Sequence, residues 1–205
     1  MSKKNDRLPS LCQSLNDVIG QLVTGVDGEF TAQDVSQLPL LTLGAQLDGS
    51  WRTRIGQRAT KAVFEAIKDI VKSVDISYQE LSDSLTLVNR SGRKVTVALA
   101  ADPDVVITEE VSEGQAFIKV AIEIKGGTDQ SNAHNRAGEA EKSHQKLRAE
   151  ADDFWTVISI KEMNIAVLKQ ESPTTRQWFD VTEVLERNGD SWNRLQDRVR
   201  VAMGI

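Results

Sequence analysis

The chain has 205 residues, 40% hydrophobic and 27% charged, with a formal net charge of −5, enough apolar material for one sizeable core and too little for two comfortable domains. Its single cysteine, Cys12, excludes an internal disulfide, and with only two histidines a structural zinc site is not expected, so any metal would be held by carboxylates. No apolar run approaches membrane-spanning length, and the opening Met-Ser-Lys-Lys-Asn-Asp-Arg lacks the apolar core of a signal peptide, so the expectation is a cytoplasmic protein with no membrane partner.

Residues 10–24 and about 31–36 are expected to be helical, separated by the turn signals Gly25, Asp27 and Gly28. Pro39 to Ser50, with Gly44 and Gly49, reads as loop. These first 50 residues form an N-terminal helical extension of the same globule, outside a core spanning 51–205. A helix from about 51 to 73 opens that core, with Ile55, Ala59, Ala62, Val63, Ala66, Ile67 and Ile70 on one face. It also carries Arg52, Arg54, Arg58, Lys61, Lys68 and Lys72 against Glu65 and Asp69, so a local basic patch sits within an acidic chain. Arg52, Arg54 and Arg58 are the candidate contacts to a nucleic-acid backbone; the bland alternative is a solvated face.

Strands are expected at 83–89 and 94–100, joined by Asn89-Arg90-Ser91-Gly92-Arg93, a hairpin signal. A third runs from Asp104 to Thr108, and a fourth covers Ala116 to Lys125. Side chains alternate along a strand, so Ile118, Val120, Ile122 and Ile124 form an apolar face while the other face ends in Glu123 and Lys125. Gly126-Gly127 ends the strand, and Asp129 or Ser131 caps a helix in which Ala133, Ala137, Ala140, His144, Leu147 and Ala151 make a narrow packed stripe. His144 reads there as a satisfied core histidine. The opposite face carries Asn132, Asn135, Arg136, Glu139, Lys142 and Lys146, which with His134 are candidates for reading base edges or gripping phosphate. An apolar strand at 154–160, a strand near 177–181 and a helix near 191–202 close the chain; Trp51, Trp155, Trp178 and Trp192 read as core or interface anchors.

A carboxylate and an ammonium at the end of a strand are costly to bury unless they are paired or bind a metal. Asp104 and Glu123 can hold a hard divalent cation through oxygen, which suits Mg²⁺. An adjacent Lys125 can orient or deprotonate an attacking water and stabilise charge developing on phosphorus. Pro103-Asp104 with Glu123-Ile124-Lys125 resembles the PD-(D/E)XK nuclease superfamily, and the segment from Gly126 to Lys146 resembles the one that follows the catalytic Lys in XcyI-type Type II restriction endonucleases. That likeness covers roughly residues 100 to 150.

The resemblance implies an α/β fold, a mixed central sheet flanked by helices. It implies Mg²⁺-dependent, sequence-specific cleavage of palindromic double-stranded DNA that leaves 5′-phosphates. Asp104, Glu123 and the backbone carbonyl of Ile124 would hold the metal, and Lys125 would serve the water. It further implies a homodimer and a cellular methyltransferase acting on the same site. Some relatives take a third acid from the upstream helix, for which Glu65 and Glu80 are candidates; others carry Arg-x-x-Glu after the Lys, matched by Arg136 and Glu139. Asp102 competes with Asp104 for the first acid and otherwise is a turn residue. Two other readings use the same residues: a repair or junction-resolving nuclease, and a non-catalytic DNA-binding module.

Overall fold

The computed structural model describes residues 7–24, 31–112, 114–126, 133–160 and 165–205. The chain divides into two compact units, Met1–Ser50 and Trp51–Ile205. The first holds helix α1 (Arg7–Thr24) and the beginning of α2 (Ala32–Lys72), whose 41 residues end in the second unit. The loop expected over Pro39–Ser50 is therefore helix. Gly44 and Gly49 each disfavour helix by about 1 kcal/mol and Pro39 by about 3 kcal/mol. Leu40, Leu43, Leu47 and Trp51 recur at helical steps that continue the pattern begun at Ile55, although Leu43, Leu47 and Trp51 are exposed.

In the second unit the strands form one seven-stranded sheet in chain order: β1 (Tyr78–Glu80), β2 (Ser84–Val88), β3 (Lys94–Leu99), β4 (Val105–Ser112), β5 (Gln115–Lys125), β6 (Ala151–Ile158) and β7 (Gln177–Asp180). The first five pair antiparallel as a meander, and β5, β6 and β7 pair parallel. The mixed α/β architecture is the expected one. Helix α3 (Ala133–Lys146) makes the crossover from β5 to β6, while α4 (Ile165–Glu171) connects β6 to β7. Two further helices, α5 (Val181–Glu186) and α6 (Asp190–Met203), complete the chain.

The β2–β3 hairpin forms where its signal stands. Asn89 Oδ1 accepts from Ser91 N at 3.0 Å and Arg93 N at 2.9 Å, and Gly92 takes the positive φ of +80° that the turn requires.

One face of the sheet builds the main core. Val63, Phe64, Ile67 and Ile70 of α2 pack with Val97, Ile107, Val120, Ile122 and Ile124 of the sheet and Leu195 and Val199 of α6. The other face holds a smaller cluster of Ala137, Ile158, Leu168 and Trp178. Trp155, Trp178 and Trp192 are buried anchors as expected; Trp51 is instead 57% exposed.

The alternation along β5 holds from Val120 to Ile124 but not at Ile118. Ile107 pairs with Val120 and the next residue, Thr108, pairs with Ile118, leaving Lys119 as the extra residue of a bulge. The bulge lets Lys119 reach the buried Glu109 at 2.7 Å, and Ile118 is only half-buried, outside the core.

The small-residue stripe of α3 also ends earlier than expected. Ala137, Ala140 and His144 are fully buried, but the helix stops at Lys146, a turn covers 147–150, and Ala151 begins β6. Residues 127–132, the expected caps Asp129 and Ser131 among them, lie outside the described residues.

Candidate active site

Asp104 stands immediately before β4, where the register of Val105 with Ile122 places it beside the end of β5. The backbone N–H of Ile124 donates to Asp104 Oδ2 at 2.8 Å, and Thr60 Oγ1 of α2 donates to Oδ1 at 3.2 Å. Two neighbours along β5, the side chain of Glu123 is buried, and its Oε1 meets Lys125 Nζ at 2.9 Å. The same ammonium lies 3.5 Å from Glu139 Oε2 of α3. Asp104, Glu123, Lys125 and Glu139 all line a cleft of about 1110 Å³. Its walls are Ile55, Gly56, Gln57, Thr60 and Lys61 of α2, the β3–β4 connection, the end of β5, and Asn135 and Arg136 of α3.

Burial pushes the Asp104 carboxyl above its usual range, against the opposing pull of the Ile124 N–H and the Thr60 hydroxyl. Burial likewise raises Glu123, against the nearby Lys125 charge and its hydrogen bond. Burial works to lower Lys125, but Glu123, Glu139 and Asp104 outweigh it and hold its pKa above the ordinary value. The lysine is therefore an ammonium at neutral pH. The bonds to Asp104 come from a neutral amide and a neutral hydroxyl, which stabilise a carboxylate less than a cation does.

This donor set fits a hard dication. Among the described residues no three His, Cys, Asp or Glu side chains gather into an all-protein cage. A cation held by one or two carboxylates that keeps its remaining positions for water and phosphate oxygens needs no such cage, and Mg²⁺ is the ion that binds in that way.

Behind Glu123 runs a buried polar chain. Its neighbour across β6, Thr156, contacts His144 Nε2 at 3.0 Å and Thr175 Oγ1 at 2.8 Å. Ser172 continues the chain from Thr175 to Glu141 Oε2, each step at 2.8 Å, and Glu141 also accepts from Thr174 N at 3.0 Å. Helix α3 is pinned by these contacts to β6 and the turn before β7.

Several candidates from the sequence go elsewhere. Glu65 pairs with Lys68 at 2.7 Å and Glu80 pairs with Lys68 at 2.9 Å and Lys72 at 2.8 Å, so neither acid lines the cleft. Asp102 is bound by Lys146, which draws that lysine to the turn before β4, and hydrogen bonding to Lys146 holds Asp102 below the usual carboxylate range. Arg54 and Arg58 are exposed on α2 and do not line the cleft; nor does Lys142. Asn132 lies outside the described residues, as do the side chains of Arg52 and His134, although both backbones are helical.

Gln57 and Thr60 are polar cleft residues that sequence reasoning missed, and Lys61, expected only as part of the basic patch, lines the cleft beside them. Their signal was the i, i+3, i+4 spacing of polar residues along the border of the α2 apolar stripe.

The sequence matches the XcyI restriction endonuclease family over residues 1–205. The chain belongs to that family. It is similar to the Type II restriction enzyme Cfr9I of Citrobacter freundii, at 35% identity over 195 residues, covering 94% of this chain and 58% of the relative. It is similar also to the Type II restriction enzyme XcyI of Xanthomonas campestris pv. cyanopsidis, at 35% identity over 194 residues, again 94% of this chain and 58% of the relative. The chain thus spans a little under three-fifths of the length of these XcyI-family relatives. The family match runs through the whole cleft, from Ile55 to Glu139.

Proposed function

We propose that the chain is a Mg²⁺-dependent Type II endodeoxyribonuclease that hydrolyses phosphodiester bonds in double-stranded palindromic DNA and leaves 5′-phosphates. The observation that carries the reading is the convergence of the half-buried Asp104, the buried Glu123 and a charged lysine in a cleft flanked by Asn135 and Arg136. Asp104 and Glu123, with the backbone carbonyl of Ile124, hold the metal. When bound, the ion screens the scissile phosphate and acidifies its water. Lys125, carrying its proton, positions the attacking water and donates to the phosphoryl oxygens on which charge develops. Glu139 draws Lys125 toward α3 and can add a further oxygen to the metal site. Asn135 and Arg136 contact DNA, Arg136 being the residue type that pairs bidentately with guanine.

Family membership supports the DNA substrate, and a palindromic target is met most simply by a two-fold homodimer in which each copy cuts one strand. The setting is cytoplasmic, beside a methyltransferase that acts on the same site.

The test is digestion of a fully sequenced plasmid with and without Mg²⁺, beside Lys125→Ala, with the fragment ends sequenced. Discrete fragments with 5′-phosphates, absent without metal and reduced about 100–1000-fold by the substitution, are expected. Indiscriminate nicking would favour a repair or junction-resolving nuclease, and specific binding without cleavage under any divalent metal would make the chain a binding module.

A further inference from the structure

We propose that Thr60 is the positioning residue of Asp104, seated by the contact of Ala59 with Gly126. The inference rests on the reading of Asp104 as a metal-binding acid and adds a residue from a different element, 44 positions earlier in the chain.

A carboxylate before a strand rotates about its terminal torsion unless both oxygens are engaged. Asp104 is engaged on both: Ile124 N–H on Oδ2 at 2.8 Å and the Thr60 hydroxyl on Oδ1 at 3.2 Å. Each carboxylate oxygen offers two lone-pair directions, so these bonds fix the plane of the group and leave one direction per oxygen for a cation. The hydroxyl of a helical Thr commonly turns back to the carbonyl four residues earlier. Thr60 instead spans the gap to the sheet.

That gap is set next door. A β-carbon added to Gly126 would stand 2.0 Å from the Ala59 β-carbon, so the end of β5 comes as close to α2 as two such residues allow. Gly126 also follows Lys125 directly. One helix–strand contact therefore locates the hydroxyl, the lysine and both acids relative to one another. The polar groups that orient a metal ligand commonly matter 10–100-fold in metal affinity or activity.

The experiment measures Mn²⁺ binding to the DNA-free protein by the loss of free-ion electron paramagnetic resonance signal, alongside the Mg²⁺ concentration giving half-maximal cleavage. Thr60→Val, which keeps the branched shape and removes the donor, is expected to weaken Mn²⁺ binding and raise the Mg²⁺ requirement about 10-fold. Thr60→Ser is expected to restore both to within about two-fold. If Thr60→Val does not fold, Thr60→Ala with the same rescue comparison carries the test. Wild-type Mn²⁺ binding in the donor-less variant, or no rescue by Ser, overturns the assignment. Asp104→Asn separates the failures: if it binds Mn²⁺ and cleaves as wild type, the metal reading of Asp104 is at fault. If it loses both while Thr60→Val loses neither, only the positioning role is refuted.

Discussion

His144 makes the stability of this fold sensitive to mild acid. The ring is fully buried, tilted at 59° to Phe154 with centroids 5.1 Å apart, and its Nδ1 has no hydrogen-bond partner among the described residues. An imidazolium carries two N–H donors, and here one would stay buried without an acceptor. Burial accordingly lowers its pKa to about 4 from 6.5; Glu141 and Asp102 pull the other way, and Lys125 adds to the lowering. A depressed histidine pKa means that the unfolded chain takes up the proton first. Stability is then complete above pH 6.5 and is lost as the pH falls toward 4. At 1.36 kcal/mol per pKa unit, the linkage integral between pH 7.5 and pH 5 comes to about 2 kcal/mol. With a urea slope of about 2 kcal/mol/M, that moves the unfolding midpoint by about 1 M. The assay is urea denaturation of the wild type and of His144→Gln at both pH values. His144→Gln is expected to be the less stable at pH 7.5, because it loses the ring packing, yet to lose about 2 kcal/mol less than the wild type on acidification. Comparing the two proteins removes the carboxylates they share. Parallel shifts, agreeing to within ~0.5 kcal/mol, would refute the account of a buried neutral imidazole.

Three other outcomes can be checked with the same tools. Gly126→Ala puts a methyl group 2.0 Å from the Ala59 β-carbon, and overpacking of this kind costs about 1–3 kcal/mol. Adding Ala59→Gly to that variant should recover part of the loss, measured as a double-mutant coupling in urea. Lys61→Ala and Arg136→Ala, both on cleft-lining residues, should each weaken DNA binding and reduce the slope of log affinity against log salt by about one. Arg54→Ala and Arg58→Ala should change that slope less. Asp104→Asn should abolish cleavage yet raise the urea midpoint at pH 7.5. Burial raises the Asp104 pKa, so ionisation costs stability as the pH rises through it, and the amide keeps an acceptor for Ile124 N–H. The gain should vanish near pH 3, where Asp104 is protonated in both folded and unfolded chains.

Much of this arrangement was legible because it is local. The β5 sequence states an apolar face and an acidic-basic end, Asn89 to Arg93 states a turn, and the spacing from Ile55 to Ile70 states a helix face. What stayed hidden depends on pairings between distant residues. The bulge at Lys119 arises from the partner strand and the buried Glu109, which no alternation along β5 encodes. The helix through Pro39, Gly44 and Gly49 was hidden because it contains residues that ordinarily punctuate a chain.

Which upstream group faces Asp104 and Glu123 is a question of helix phase. The nuclease resemblance favoured Glu65, a carboxylate near the middle of the core helix. Five residues separate it from Thr60, and at 3.6 residues per turn that is about 140° around the axis. If Ala59 touches Gly126 and Thr60 faces Asp104, Glu65 must point elsewhere, and it does, toward Lys68. Lys68 is itself 3% exposed and gathers Glu65 and Glu80 together, so the two acids compensate a buried ammonium. Among the described residues, the further carboxylate that lines the cleft is Glu139, already drawn to Lys125 from the helix on the other side. Under the proposed reaction the upstream helix supplies a neutral hydroxyl that aims one acid, and the downstream helix supplies the charge that competes with the other for the lysine.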